Sequence, residues 1–484
     1  MRKESVKSIR RNFVMNALLA VSGVIFPLAA FRYASRILLP AGTGQVAFAT
    51  SVIAYFSMFA QLGIPTYGIR ACAKVRDDRE ALTRTVHELL GINLGMDLLA
   101  YALLALALYI VPRLAEVRLL CAVISVTILL NSIGMEWLYK ALEQYTYITV
   151  RSLICKTAAL AALFLLVHTK EDTVIYGGVS IFASSASNLL NFVHARKAVD
   201  VRRPRGCDWR RHLKPVMIFF AMSCAVTVYT NLDALMLGFM TTDQDVGYYN
   251  AAVKVKTILV SLVTALGAVL LPRSAYYVEH GRMEEFRELS RKALRFVLLA
   301  AAPLALFFAL YAEECILFLS GEEYLPAAAP MQIILPTVLL IGITNLTGLQ
   351  MLVPLGKEKT VLASESAGVA ADLVLNLLLI PRYKAAGAAV GTLAAEAVVL
   401  AVQYAAMRGE LKDFFRTYRW IRQAAALALA AAAGLCAKVL EAAPMWKIAA
   451  GALMFFGVYG GFMLWRKEET LAEVAERVRR RRGK

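Results

Sequence analysis

Long uncharged stretches recur along the whole of this 484-residue chain, and they constrain its fold more than any other feature. A helix that crosses the hydrocarbon layer of a bilayer, roughly 30 Å thick, needs about 20 mostly apolar residues. Fourteen stretches meet this requirement, near residues 12–33, 45–66, 88–111, 118–139, 150–167, 173–195, 215–237, 250–271, 293–312, 328–349, 360–380, 387–406, 422–439 and 445–465. The sequence therefore predicts an all-α polytopic membrane protein with 14 transmembrane helices.

The positions of the basic residues give the predicted orientation of these helices. Lys and Arg outnumber Asp and Glu by 53 to 35, and cytoplasmic loops of membrane proteins retain positive charge. If the N-terminus is inside, the loops assigned to the outside carry only five basic residues, Arg36, Arg113, Lys170, Arg382 and Lys384. We therefore expect both termini to be cytoplasmic. The basic residues form short clusters between apolar spans, so they indicate topology and not nucleic-acid binding.

The loops divide the chain into predicted domains. A basic linker at 197–214 follows six spans, so it separates an N-terminal lobe (1–196) from a C-terminal lobe (215–407). Residues 408–465 supply a basic loop and a final helix pair, and the tail at 466–484 has apolar residues at helical spacing among arginines, typical of a helix lying on anionic phospholipids. Gly44 and Gly247 open similar segments at the second and eighth spans, which suggests diverged repeats with a substrate path between the two halves.

Motifs of catalytic, zinc and nucleotide sites are absent from the sequence. It contains no CxxC, HExxH, GxSxG or GxxxxGK[ST] segment. The chain is therefore predicted not to be an enzyme and to bind no resident metal or cofactor.

Ionisable residues inside the spans are the predicted functional positions, because each costs roughly 2.5–3.5 kcal/mol at mid-bilayer unless it meets a partner or water. Lys156 lies deepest among the cations and is predicted to face an internal cavity. The candidate substrate-binding cations are Lys156, Arg32, Lys254, Arg70 and Lys256, and the candidate ion-coupling acids are Asp233, Glu365, Asp372 and Asp97.

Most of these residues also have a structural interpretation. Arg32 and Lys256 lie near enough to the outer surface to extend their charged ends to it. Asp233 would serve equally as the ion-pair partner of Lys254, and Glu365 and Asp372 would balance a neighbouring lysine. Glu136, Lys140 and Glu143 share a helix face and are predicted to neutralise one another. Three GxxxG pairs predict close helix packing, namely Gly91/Gly95, Gly387/Gly391 and Gly457/Gly461, and Pro27 predicts a bend in the first span.

Three segments carry a family resemblance. They are Glu136-Trp-Leu-Tyr-Lys-Ala-Leu-Glu-Gln-Tyr-Thr-Tyr-Ile-Thr-Val-Arg151, then Leu232-Asp-Ala-Leu-Met-Leu-Gly238 with Val246-Gly-Tyr-Tyr-Asn-Ala-Ala-Val-Lys254, and Asn376…Pro381…Gly387-Ala-Ala…Thr392…Glu396. With them the whole chain resembles the polysaccharide-transport family of lipid-linked oligosaccharide (O-antigen-type) flippases, within the superfamily of multidrug, oligosaccharidyl-lipid and polysaccharide exporters. Ser152 stands where the family pattern has asparagine.

The resemblance implies two six-helix lobes around a central, cation-lined cavity, plus the C-terminal helix pair. It also implies alternating access. We expect the chain to move an undecaprenyl-pyrophosphate-linked oligosaccharide across a bacterial plasma membrane, with energy from an ion gradient, the membrane potential or downstream consumption. Na⁺ or H⁺ is the candidate coupling ion, and glycan polymerase and glycosyltransferases are candidate partners. Three alternatives stay open: a peptidoglycan lipid-precursor flippase, a cation-coupled multidrug extruder on the same fold, and a polytopic glycan polymerase or ligase. The short outside loops disfavour the last of these.

Overall fold

The computed structural model describes residues 2–200 and 206–466, and nearly all of them are helical. By contact the chain forms two compact units, residues 1–247 and 248–484, which we call the N-terminal and C-terminal units. The amphipathic tail predicted at 466–484 lies outside the described residues apart from Arg466, and so does the centre of the basic linker, residues 201–205. The surface role of the tail stays a prediction.

The N-terminal unit consists of ten helices and the start of an eleventh within its described residues. They are α1 (Arg2–Gln61), α2 (Ile64–Lys74), α3 (Arg79–Ile110), α4 (Pro112–Glu116), α5 (Arg118–Gly134), α6 (Glu136–Ala141), α7 (Tyr145–Leu166), α8 (Thr173–Ser185), α9 (Ser187–Ala195), α10 (Arg210–Met240) and α11 (Asp243–Glu279). Contact places α10 with the helices before it, whereas the sequence assigns its span to the second lobe. The lobe boundary at 197–214 stays a prediction.

The C-terminal unit continues from α11 through eight further α-helices in its described part. They are α12 (Met283–Leu310), α13 (Ala312–Ser320), α14 (Ala328–Ile334), α15 (Thr337–Asn345), α16 (Glu358–Ala406), α17 (Arg408–Thr417), α18 (Trp420–Lys438) and α19 (Pro444–Trp465), with a 3-10 helix at Glu322–Ala327 and a π-helix at Leu346–Leu352. Tyr311 fastens the final helix pair to this unit, since its hydroxyl donates to the Gly434 carbonyl oxygen at 2.5 Å.

Ten helices of the described residues are long and apolar enough to cross a membrane, or up to twelve if each of two bent pairs is one span. Two of these helices are interrupted, because Leu39 (φ 58°) and Lys384 (φ 51°) have non-helical backbone angles. An unbroken α1 of 60 residues would be about 90 Å long, three times the thickness of a bilayer. Both interruptions fall between predicted spans; the count of fourteen stays a prediction.

Other breaks differ from the sequence-based expectation. The fourth predicted span ends its first helix at Met135, whose φ of 42° is left-handed, and continues as the short helix α6. The helical pair that holds Pro330 and Pro336 is bent by 43°. Around Pro27 the backbone of α1 keeps helical angles, and its break lies instead at Leu39, before Pro40. A residue that precedes proline is disfavoured in the helical region, yet Phe26 before Pro27 stays helical while Leu39 before Pro40 does not.

Two of the three GxxxG predictions are wrong. A Cβ added at either glycine of the 91/95 and 457/461 pairs would meet no atom within 4 Å outside its own helix. At Gly387 and Gly391 the predicted close packing is confirmed, because an added Cβ would lie 2.6 Å from the Leu379 carbonyl oxygen and 2.3 Å from the Asn376 Oδ1 atom, respectively. Many large apolar side chains are exposed on the outer surfaces of the helices. Tyr109 and Ile421, for example, are each 88% exposed.

Candidate functional site

Lys156 reaches from α7 to α1. Its Nζ donates a hydrogen bond of 3.0 Å to the Ser22 hydroxyl, which is buried and itself donates to the Leu19 carbonyl oxygen at 2.7 Å. Within the described part of the chain no carboxylate lies at ion-pair distance from this ammonium group. The side chain is half-buried and is held by a neutral oxygen, so its positive charge is oriented but not neutralised.

Arg151 lies one helical turn before Lys156 and was missed as a site residue. The guanidinium is buried, donates to the Ser187 carbonyl oxygen at 2.8 Å and lies over the rings of Tyr139 and Tyr147 at 6.0 and 5.6 Å. Its Nη2 is 3.9 Å from the Glu136 carboxylate. The sequence signal that would have identified Arg151 is the presence of Tyr139 and Tyr147 in the same family segment, because tyrosine rings can form cation–π contacts with a guanidinium group.

The Glu136 cluster is partly as predicted. Lys140 pairs with Glu136 at 2.9 Å, which confirms that part of the interpretation. Glu143 does not join them. It follows the end of α6 with a left-handed φ of 57°, and it pairs with Arg76 at 3.0 Å.

The other predicted cations divide between the two units. In the N-terminal unit Arg32 is half-buried on α1, and Arg70 is exposed on α2 beside a cationic pocket. In the C-terminal unit Lys254 and Lys256 are both half-buried on α11. A cavity between the predicted lobes stays a prediction, as do the substrate-binding roles of these residues.

The predicted acids also occupy separate places. Asp97 is 3% exposed on α3 and accepts a hydrogen bond of 2.8 Å from the Ser132 hydroxyl on α5. Asp233 is buried on α10 and Glu365 is half-buried on α16. Asp372 is buried on the first half of α16, where it faces Gly391 of the second half.

Asp372 belongs to a compact group of buried oxygen atoms. A Cβ at Gly391 would lie 2.3 Å from Asn376 Oδ1 and 2.9 Å from Asp372 Oδ1, so both oxygens point at the same small space. The next residue, Thr392, shares a hydrogen bond of 2.9 Å with the Tyr249 hydroxyl. Carboxylate, amide and hydroxyl oxygens are hard donors of the kind that bind Na⁺, Mg²⁺ or a proton. The ion-coupling role of Asp372 stays a prediction.

The sequence profile described as "Polysaccharide biosynthesis protein" matches residues 9–278, which is more than half of the chain. The chain belongs to this family. A second profile, "MatE", matches residues 219–378. A "Putative O-antigen transporter" of Escherichia coli K12 is 25% identical over 401 residues, or 81% of this chain and 95% of that protein. A Shigella dysenteriae protein with the same name is 24% identical over 397 residues, covering 81% and 98% of the two chains.

Solved structures agree with this family in fold. The lipid II flippase MurJ in an inward closed conformation has a TM-score of 0.66 at 14% identity and covers 91% of this chain and 99% of its own. An inward-facing MATE-family multidrug transporter of the MOP superfamily has a TM-score of 0.65 at 13% identity and covers 81% and 96%. The predicted family and the all-α transporter fold are confirmed. The protein is a multi-pass membrane transporter of the polysaccharide biosynthesis family and not an enzyme.

Proposed function

We propose that the protein moves an undecaprenyl-diphosphate-linked oligosaccharide from the cytoplasmic to the outer leaflet of a bacterial plasma membrane by alternating access. The family match and the relatives named as O-antigen transporters support an export substrate of this class. The observation that carries the proposal is the ammonium group of Lys156, which lies in the middle of an apolar helix, donates to the Ser22 hydroxyl and has no carboxylate at ion-pair distance among the described residues.

The reaction is difficult because a hydrated glycan and a diphosphate must cross hydrocarbon. Oriented cations replace the water and counterions of the diphosphate, while the polyprenyl tail stays in the lipid. Lys156, Arg32, Lys254, Arg70 and Lys256 are the proposed phosphate-facing residues. A lysine that already has a carboxylate partner gains little from a phosphate, and Lys156 has a hydroxyl instead.

Energy for the transport is proposed to come from the membrane potential and an ion gradient. An inside-negative potential favours outward movement of negative charge by roughly 2.3 kcal/mol per charge per 100 mV. Na⁺ or H⁺ would be the coupling ion, bound by Asp372 or by Asp233, Glu365 or Asp97. Glycosyltransferases and a polymerase are the proposed partners on the two sides of the membrane, and anionic phospholipids are proposed to contact the cytoplasmic face.

The test replaces Lys156 and measures transport directly. Full-length wild type and Lys156→Ala, reconstituted in proteoliposomes, are compared for translocation of fluorescent undecaprenyl-diphosphate oligosaccharide and of lipid II. Lys156→Ala should lose transport, Lys156→Arg should retain part of it, and the exposed lysine variant Lys170→Ala should match wild type. Equal transport by Lys156→Ala at equal reconstitution would remove Lys156 from the path. Transport of lipid II alone by wild type would instead assign the peptidoglycan-precursor function.

A further inference from the structure

A cationic pocket of about 420 Å³ lies within the N-terminal unit, between α2 and the beginning of α10. Arg70 and Lys74 line it from α2, and Lys214 lines it from α10. All three side chains are exposed, and none forms an ion pair with any residue in the described ranges. Three positive charges around one concave space create a positive local potential, which attracts anions.

The carboxylate nearest to this group of cations along the hydrogen-bond network, Glu88, already has several hydrogen-bond donors. Glu88 of α3 has a completely buried side chain that accepts hydrogen bonds from Arg211 at 2.5 and 2.9 Å, from His212 at 2.8 Å and from the Asp208 backbone amide at 2.7 Å. Its charge therefore compensates Arg211 and not the pocket. The pocket keeps a net charge of three positive groups.

The walls of the pocket are held in place by packing independent of any ligand. The Tyr67 hydroxyl bonds to His212 Nδ1 at 2.8 Å, which connects α2 to α10 through the same cluster that contains Glu88. Gly68 of α2 packs on the Trp137 ring, so closely that an added Cβ would lie 2.8 Å from it. Binding to such a preformed site loses less free energy to ordering than binding to mobile side chains.

One side of the pocket is apolar. Ile218 and Phe219 of α10 line it, and Ile218 is 60% exposed. Because α10 is an apolar helix long enough to cross the membrane, this side continues into a surface that suits a hydrocarbon chain. The cations sit at the end of the helix that the charge pattern assigns to the cytoplasm. A ligand that fits both features has a compact group of several negative charges attached directly to an apolar chain.

We infer that this pocket binds the diphosphate of the polyprenyl-linked substrate at the cytoplasmic leaflet, before the substrate enters the transport path. The inference rests on the proposed function and adds a receiving site to it. The planar guanidinium of Arg70 can donate two hydrogen bonds to phosphate oxygens, while Lys74 and Lys214 act as point charges. A diphosphate carries more charge than the single phosphate of phosphatidylglycerol, so three cations select it over the bulk anionic lipids of the membrane.

The test measures binding of undecaprenyl diphosphate to the purified full-length chain in detergent, by native mass spectrometry. The variant is Arg70→Gln/Lys74→Gln/Lys214→Gln. We expect a loss of affinity between about tenfold and 100-fold, which corresponds to about 1.4–2.8 kcal/mol for the three phosphate contacts together. The conservative variant Arg70→Lys/Lys74→Arg/Lys214→Arg should restore most of the affinity. The thermal stability of this variant shows whether the fold tolerates substitution at these three positions.

A second cationic pocket supplies the matched control. It has a volume of about 510 Å³ in the C-terminal unit and is lined by Arg419, Arg422 and Arg466 beside Trp420 and Phe462. These arginines lie on the same predicted face, so the triple Gln variant removes the same charge in a similar aromatic setting. Arg422 in this pocket already donates to the Arg466 carbonyl oxygen at 3.1 Å, so we expect the affinity of this variant for undecaprenyl diphosphate to change less than about threefold.

The outcomes separate the inference from the proposed function. Equal binding by wild type and the Arg70/Lys74/Lys214 variant would overturn the receiving site, whatever the transport assay shows. An equal loss of phosphatidylglycerol binding would also overturn it, because the pocket would then serve any anionic lipid. Inorganic pyrophosphate should compete only weakly, since it lacks the apolar chain, and strong competition would overturn the assigned lipid ligand. If wild type binds undecaprenyl diphosphate here but translocates no glycan, the site stands and the proposed function fails.

Discussion

The contact between Gly44 and Gly247 gives the sharpest prediction for stability. Within the N-terminal unit the first turn of α11 lies against α1 so closely that a Cβ on Gly44 would be 1.8 Å from the Asp243 carbonyl oxygen. A Cβ on Gly247 would be 2.1 Å from the Pro40 carbonyl oxygen. Since carbon and oxygen approach to roughly 3.3 Å, Gly44→Ala must move the two backbones apart by about 1.5 Å.

The displacement affects more than one contact. Asp243 accepts a hydrogen bond of 3.0 Å from Gln45 and forms a close ion pair with Arg113, and both depend on the present position of its backbone. Overpacking costs about 1–3 kcal/mol and a hydrogen bond to a charged group contributes about 1.5–3 kcal/mol. The higher helix propensity of Ala returns up to about 1 kcal/mol. We expect Gly44→Ala to lower the free energy of unfolding by about 2–4 kcal/mol.

The measurement is equilibrium unfolding in mixed micelles, followed by tryptophan fluorescence. Gly23→Ala is the matched control, because Gly23 lies in the same helix and its added Cβ would meet nothing within 4 Å. The double variant Gly44→Ala/Gly247→Ala should cost less than the sum of the single variants, since one separation of the backbones relieves both clashes. A Gly44→Ala protein as stable as Gly23→Ala, or strictly additive costs, would refute the reasoning.

Two further predictions concern buried polar groups. Glu88→Gln removes the counter-charge of Arg211 and weakens the hydrogen bond to the buried His212, so it should cost about 2–3 kcal/mol in the same unfolding assay. Glu80→Gln breaks only an exposed pair of 3.2 Å on the same helix and should cost under about 0.5 kcal/mol. Equal costs would contradict the role of the cluster. Gly391→Ala fills the space that Asp372 faces, so it should abolish any dependence of transport on the Na⁺ or H⁺ gradient, while Gly460→Ala, with open surroundings, should not. Unchanged ion dependence in Gly391→Ala would exclude this group of oxygens as the coupling site.

The sequence predicted the apolar helices well and their interruptions poorly. Hydropathy averages over about 20 residues, so it locates a span without showing where its backbone breaks. Met135 and Leu39 break helices although neither is glycine, and both have a positive φ, of 42° and 58°. The backbone keeps helical angles around Pro27, where a bend was predicted, and breaks at Leu39 before Pro40, where none was predicted.

Charged residues at the ends of spans were the main omission. Glu88 and Asp243 stand where solvated charges are normal, so the sequence gave no reason to assign them a structural role. Their importance depends on partners more than 100 residues away, Arg211 for Glu88 and Arg113 for Asp243. Lys156 and Asp372 could be selected from the sequence because a charge in the middle of an apolar span is unusual. The structure has Lys156 half-buried and Asp372 buried, and their roles in transport stay predictions.

The π-helix at Leu346–Leu352 would allow side chains of this helix to rotate about the helix axis without local unfolding. A π turn holds one residue more than an α turn, and moving that extra residue along the helix by one position turns the side chains it passes by about 100°. Thr347, which donates to Gln403 Oε1 at 2.5 Å, and the buried Gln350 both lie on this segment. Migration of the extra residue by one position would therefore change which side chains face α16, while the backbone stays hydrogen-bonded throughout. The motion would be a rotation about the helix axis and not a hinge movement.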